Sequence, residues 1–307
     1  MTQKKQDYIC VIGAVNVDII AASYVRLIHQ DSNPGTVKIS YGGVGRNIAE
    51  NLSRLGQRVE LITALGDDLH AEEINDQCEE LNISLKHSLH VKDESTSMYI
   101  CINDDRGEMQ LAVSAMEIYD KMTPEFFETK LDVINGASAV VMDLNLSASA
   151  VKYLCKYVKA PIFVDPVSTR KALKIKSCLK QVYAIKPNRM EAELILGRKI
   201  KTDEDVLSAA KRFLDLGVQR VFISLAENGV CYADEDSTGF VRAGKPRVVN
   251  TTGCGDAFMA GMVTGFVQHK ETKECAEMGQ RASGICLRTE RAVSINMNLK
   301  EVEGDIL

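Results

Sequence analysis

Short apolar runs rich in β-branched side chains recur along the chain at Tyr8–Val15, Val59–Leu65, Ala139–Leu144, Pro161–Asp165, Val182–Lys186 and Val221–Leu225. Stretches of helical period lie between them. Asn47–Leu55 sets Ile48, Leu52 and Leu55 on one face and stops at Gly56. Lys201–Leu216 stops in the same way at Gly217. Near-continuous apolar strands belong to sheets covered on both faces. The pattern therefore predicts an α/β fold, with a central, mostly parallel sheet flanked by helices.

Two segments break this alternation. Ile19–Ser40 follows the first strand without a helical pattern, and Ser95–Val113 reads as strands around a turn at Asp104-Asp105-Arg106-Gly107. Together they predict a small β-sheet lid, contributed by about residues 16–42 and 95–118, that excludes water from a site below. The alternative is that they are edge strands of the main sheet. Polar residues stand where the apolar runs stop: Asp143 and Asn145, Asp165, Lys186 and Asn188, and Ser224. Ligands of open α/β sheets bind beyond the carboxyl ends of the strands, so these residues form one expected wall of a site.

Composition narrows the class. The chain has 307 residues, 45% of them hydrophobic, enough for a full core, and is expected to form one domain over 1–307. A formal net charge of -5 gives no basic surplus for nucleic acid. Residues 1–7 are polar, which is not a secretory pattern, and no apolar stretch approaches the roughly 18 residues of a membrane span. The nine cysteines include no C-x-x-C pair and fit free thiols in a reducing cytoplasm. His87 and His90 are spaced as a possible metal pair, but nothing nearby completes a site.

Four places carry candidate chemistry. Asn250-Thr251-Thr252-Gly253-Cys254-Gly255-Asp256 leads into an apolar helical stretch. Glycines let backbone N–H groups converge on an anion, and a helix start adds its positive dipole end. Asp256 would stand beside that anion hole as a base for a hydroxyl proton. Gly42-Gly43-Val44-Gly45-Arg46-Asn47 runs from a strand into a helix and is neither a Walker A loop nor a full dinucleotide fingerprint. Its glycines would admit a ligand and Asn47 would bond its hydroxyls; a tight turn with Asn47 as the cap is the alternative. Asn188 and Glu191 are three apart, suited to a hydrated Mg²⁺ or to a capping box. Asp18, just past the first strand, could accept bonds from two adjacent sugar hydroxyls, or be an ordinary loop acid.

Taken together and in this order, these motifs resemble the ribokinase-like sugar kinases of the PfkB family over essentially the whole chain. The resemblance implies a ribokinase-like fold and ATP-dependent phosphorylation of a primary hydroxyl. It implies Asp256 as catalytic base and Gly253, Cys254 and Gly255 as the anion hole. Asn188 and Glu191 match the Mg²⁺ and phosphate pair; Ser224, Thr251, Gly253 and Gly255 match nucleotide contacts. Asp18, Gly43 and Asn47 match sugar-binding positions. Family relatives form dimers through their lid sheets, so a homodimer is expected.

Asp31-Ser32-Asn33-Pro34-Gly35, Thr96-Ser97, and Asp165-Pro166-Val167-Ser168 with Lys171 resemble the subgroup that converts pseudouridine to its 5′-phosphate. Ser32, Asn33, Ser97 and Lys171 are the candidates to read the base. Another ribosyl nucleoside or sugar, or a silent sugar-binding homologue, are the competing readings. Three positions depart from the pattern. Asn250 stands where the signature usually begins with Asp, leaving monovalent-cation activation open. Ala226 stands where Gly is common, and Ala115 where the subgroup usually has Asp.

Overall fold

The structure is a computed structural model that describes residues 8–244 and 248–304. The polar stretch 1–7 lies outside the described residues.

A nine-stranded sheet forms the centre. Its order runs Thr238–Val241, Val230–Ala233, Arg220–Ser224, Ala184–Ile185, Ile162–Asp165, Ala139–Asp143, Ile9–Ile12, Val59–Ile62 and Ile83–Ser84. The seven strands from Arg220–Ser224 onward are mutually parallel; the first two pair antiparallel. Every residue of Ile9–Ile12, Ala139–Asp143 and Ile162–Asp165 is buried, because helices cover both faces. Alternate residues serve the two sides. Cys10, Ile12, Val140 and Met142 join one core, and Ile9, Val11, Ala139 and Val141 join the other.

The lid segments form a separate four-stranded sheet, not edges of the central one. Its order is Gly35–Gly42, Asn16–Ser23, Met98–Asn103 and Met109–Ala115. The two inner strands are parallel and the outer pairings antiparallel. The sheet ends at Ala115, and Glu117–Lys121 is a 3₁₀ turn whose Ile118 and Tyr119 enter the core. Asp68 ties down the base of this sheet: its carboxylate accepts from Thr96 N at 2.7 Å and from the Thr96 hydroxyl at 2.8 Å.

One helix begins earlier than the periodicity predicts. It spans Val44–Arg54, with Gly43 as its N-cap. Gly43 has φ 94°, and a Cβ there would lie 2.5 Å from Ala14 O, so only glycine fits. Asn47 is therefore not the cap. It sits in the first turn with its side chain released for other contacts.

Candidate active site

The carboxyl ends of the parallel strands, the start of Val44–Arg54 and the start of the helix Cys254–Val267 converge. Gly253 makes the last of these possible. It is the N-cap in left-handed conformation, φ 79°, and turns the chain into the helix. The backbone N–H groups of Gly255 and Asp256 have no hydrogen-bond acceptor among the described residues. The helix thus opens with free donors and the positive end of its dipole.

Asp256 is 8% exposed, and its Oδ2 accepts a 2.8 Å bond from Asn47 Nδ2. Burial, and then the nearby Asp165 carboxylate, push its pKa up to about 8, against the opposing pull of Asn47 and Lys186. Oδ1 of Asn47 is buried without a partner. Such an atom costs free energy until a donor arrives, as a ligand hydroxyl would.

Asp18 lies on the inner side of the lid's first strand. A Cβ on Gly42 would fall 2.3 Å from Asp18 Oδ2, so the carboxylate occupies the space that glycine leaves open. Burial raises its pKa to about 6, with Arg46 pulling the other way. Asp18, Gly43, Asn47 and Asp256 thus fall along one path from the lid to the helix start.

Asn188 and Glu191 form the capping box. Glu191 N donates to Asn188 Oδ1 at 2.9 Å, and Asn188 N donates to Glu191 Oε2 at 2.8 Å. Glu191 is 5% exposed, and burial raises its pKa. Its second carboxylate oxygen has no protein hydrogen-bond partner among the described residues. The arrangement fits a carboxylate that accepts from a metal-bound water while still capping the helix. Ser224 ends its strand in a bridge to Asn188 and donates its hydroxyl to Pro187 O at 3.4 Å. Thr251 is exposed ahead of the turn that opens Cys254–Val267.

The base-reading candidates separate. Lys171 Nζ donates to Asn145 Oδ1, and Asn145 in turn donates to Asp143 Oδ1 at 2.9 Å, so Lys171 belongs to the strand-end wall. Ser97 is 1% exposed and donates to Asn16 Oδ1 at 2.8 Å, orienting that amide. Ser32 and Asn33 are not brought to this cluster. They lie beyond the far end of the lid strands, Ser32 exposed and Asn33 half-buried, where Asn33 Oδ1 accepts from Ile28 N at 2.8 Å and its Nδ2 donates to Ile28 O at 2.9 Å. At about 3.3 Å per residue, the five residues from Asp18 to Ser23 span roughly 17 Å.

Asn250 is engaged on both ends of its amide, with Thr252 N and Glu290 O each at 3.0 Å, so it fixes the turn without a charge. Ala226 adopts φ 52°, the left-handed region in which glycine is preferred. Ala115 is exposed at the end of the outer lid strand.

Sequence reasoning set Asp165 and Lys186 in the expected wall of the site without giving either a chemical role. The structure joins them in a buried 3.1 Å ion pair beside Asp256. Burial opposes the Lys186 charge, but Asp165, Glu191 and Asp256 outweigh it and raise its pKa. Asn16 and Tyr119 were missed altogether. Tyr119 OH accepts from Val15 N at 2.7 Å, and nothing in its local sequence marks that contact.

The family model described as pfkB family carbohydrate kinase matches residues 6–297. The chain belongs to the pfkB family. This pfkB-family chain is 34% identical over 301 residues to the pseudouridine kinase of Escherichia coli K12, covering 97% of the chain and 96% of that protein. It is 26% identical to a guanosine-inosine kinase of Exiguobacterium acetylicum, covering 93% and 96%. A solved putative sugar kinase from Clostridium perfringens superposes with a TM-score of 0.89 at 34% identity, covering 97% of the chain and 95% of that structure. The fold is ribokinase-like, and the pfkB-family chain is a phosphotransferase acting on an alcohol group. Among the described residues, no helix is long and apolar enough to cross a membrane, and no group of three or more His, Cys, Asp or Glu side chains forms a metal cluster.

Proposed function

We propose that this kinase transfers the γ-phosphoryl group of ATP to the 5′-hydroxyl of pseudouridine, giving pseudouridine 5′-phosphate and ADP. The observation that carries the reading is the 2.8 Å contact between Asn47 and buried Asp256. It joins a hydroxyl-binding helix to a carboxylate at the mouth of an anion hole. In this reading Asp18, Gly43 and Asn47 hold the ribose, and Asp256 takes the hydroxyl proton. Gly253, Cys254 and Gly255 receive the developing phosphate charge, while Asn188, Ser224 and Thr251 line the nucleotide phosphates. Similarity to the Escherichia coli pseudouridine kinase supports the choice of nucleoside.

Base selection is assigned to Lys171 and to Asn16, which Ser97 orients. Pseudouridine carries an N1–H that uridine lacks, and one neutral hydrogen bond is worth about 0.5–1.5 kcal/mol, or roughly 2- to 13-fold. ADP release measured with pseudouridine, uridine, adenosine, ribose and fructose 6-phosphate is expected to give the highest kcat/KM for pseudouridine. Equal use of uridine or ribose would sink the nucleoside assignment and leave the broader kinase.

Glu191, with Asn188, would hold a hydrated Mg²⁺, which neutralises charge between the donor phosphates. Glu191→Gln should raise the Mg²⁺ concentration needed for half-maximal rate. An unchanged metal titration with a lower melting temperature would leave Glu191 as a cap alone.

The chain acts as one domain over 1–307 in this reading, and two copies pair through their lids. One lid face carries Val37, Ile39, Leu111 and Val113, all more than half exposed, opposite the face that bears Asp18. Such a patch is covered in most stable proteins. Sedimentation should report a dimer that Ile39→Asp converts to monomer; a monomeric wild type would refute the pairing.

A further inference from the structure

Lys186 follows the short strand Ala184–Ile185 in the middle of the central sheet and is 6% exposed. Its ammonium is fixed in place. Asp165 Oδ2 holds it at 3.1 Å, while Asp165 Oδ1 accepts Val167 N at 2.9 Å. Val167 has φ 65°, a strained conformation for a β-branched residue, and strain of this kind collects at functional sites. An ammonium carries three N–H donors, and Asp165 supplies the one acceptor found for it among the described residues.

The remaining donors stand next to the anion hole. A Cβ on Gly255 would lie 3.3 Å from Lys186 Nζ, so the ammonium is against the first turn of Cys254–Val267. The unpartnered N–H groups of Gly255 and Asp256 belong to that same turn. A buried ion pair is poor evidence of a purely stabilising role, since a well-packed apolar pair often replaces one at no loss. Unspent donors beside unspent donors instead call for an anion.

We propose that Lys186 is a catalytic residue that binds the transferring phosphoryl group, its ammonium adding a charged donor to the backbone N–H groups of Gly255 and Asp256. Asp165 is the positioning residue that keeps the ammonium there. During transfer the bond from the γ-phosphorus to the ADP oxygen breaks as the bond to the acceptor oxygen forms. The acceptor's proton passes to Asp256, and Lys186 keeps all its protons throughout. A side chain at position 255 would crowd the ammonium, which would have to give by a few tenths of an ångström.

The probe is ADP with Mg²⁺ and aluminium fluoride, a mimic of the phosphoryl group in flight. Lys186→Met should lower kcat by about 10²–10³-fold, the usual effect of deleting one donor to a developing oxyanion. It should abolish the extra affinity of the fluoride complex over ADP alone and leave the ADP affinity itself in place; a merely structural lysine would weaken both together. Lys186→Arg should restore part of the fluoride-dependent affinity. Removing the charge alone strands a buried Asp165, so the double variant Asp165→Asn, Lys186→Met gives the same readout with the pair deleted as a unit. The wild type with the same complex supplies a test that needs no variant: its crystal structure should show Nζ about 2.7–3.2 Å from a fluoride. A Nζ that stays on Asp165 alone, or a folded Lys186→Met that keeps the fluoride-dependent affinity, overturns the proposal.

Discussion

Asp256→Asn is expected to lower turnover by roughly 10²–10⁴-fold, the usual share of a positioned general base. The substitution keeps the shape and still accepts from Asn47, so nucleotide binding should persist. Two pH effects go with it. A base must be ionised, and the Asp256 pKa is pushed up to about 8, so wild-type kcat/KM should climb as pH rises toward and through 8. Stability runs the other way. A carboxyl whose folded pKa exceeds its unfolded value favours the fold in its protonated form. That contribution is complete at acid pH, below the ordinary carboxylate range, and is lost as pH rises through about 8. Asp256→Asn should therefore melt higher than wild type at pH 9, with the gap closing in acid. Turnover above a tenth of wild type, in a protein that shows this melting behaviour, would remove Asp256 from the role of base.

The other large effect is expected at Gly253. Its φ is 79°, and an added Cβ would meet the backbone carbonyl oxygen of Ala292 at 1.9 Å. The left-handed conformation alone costs an L-residue about 1–2 kcal/mol, and the collision forces the turn itself to move. Gly253→Ala should lower the melting temperature by several degrees or more and reduce kcat at least 10²-fold, roughly the loss of one oxyanion donor. Gly56 is the control. It has a similar φ of 81° but nothing within 4 Å of the added carbon. Gly56→Ala should show the conformational cost without the loss of rate. Equal rate losses in the two variants would mean that the anion-hole turn is not what Gly253 provides.

The parts of this molecule legible in its sequence are those set by local pattern. Continuous apolar runs read as a sheet covered on both sides, and the glycine spacing before Asp256 announced the turn that opens Cys254–Val267. The spacing of Asn188 and Glu191 carried two meanings, and the capping box is the one that geometry displays. What stayed hidden depends on contacts between distant parts of the chain. Asn47 and Asp256 are 209 positions apart, and no periodicity announces their bond. Nor does a lysine before Pro-Asn announce that it will be buried against Asp165. The helix start was placed three residues late because Gly43 caps Val44–Arg54 through its backbone alone, leaving no side-chain signature. Ser32 and Asn33 matched a motif, yet the length of the lid strands carries them to its outer end.

The place of the first strand has a consequence for how the chain is made. Ile9–Ile12 lies between Val59–Ile62 and Ala139–Asp143, pairing with both in parallel. Its second neighbour is encoded 130 positions later, as in the pairing of Ile9 with Ala139. A ribosome adding about 5–20 residues per second needs roughly 7–26 seconds to cover that interval. Throughout it, one side of an entirely apolar strand has no partner to pair with. Pairing over such a separation is also slow once the partner arrives. The nascent chain is therefore most vulnerable to aggregation before residue 143 has emerged, and a protecting chaperone would act on the first half of the protein rather than on the second.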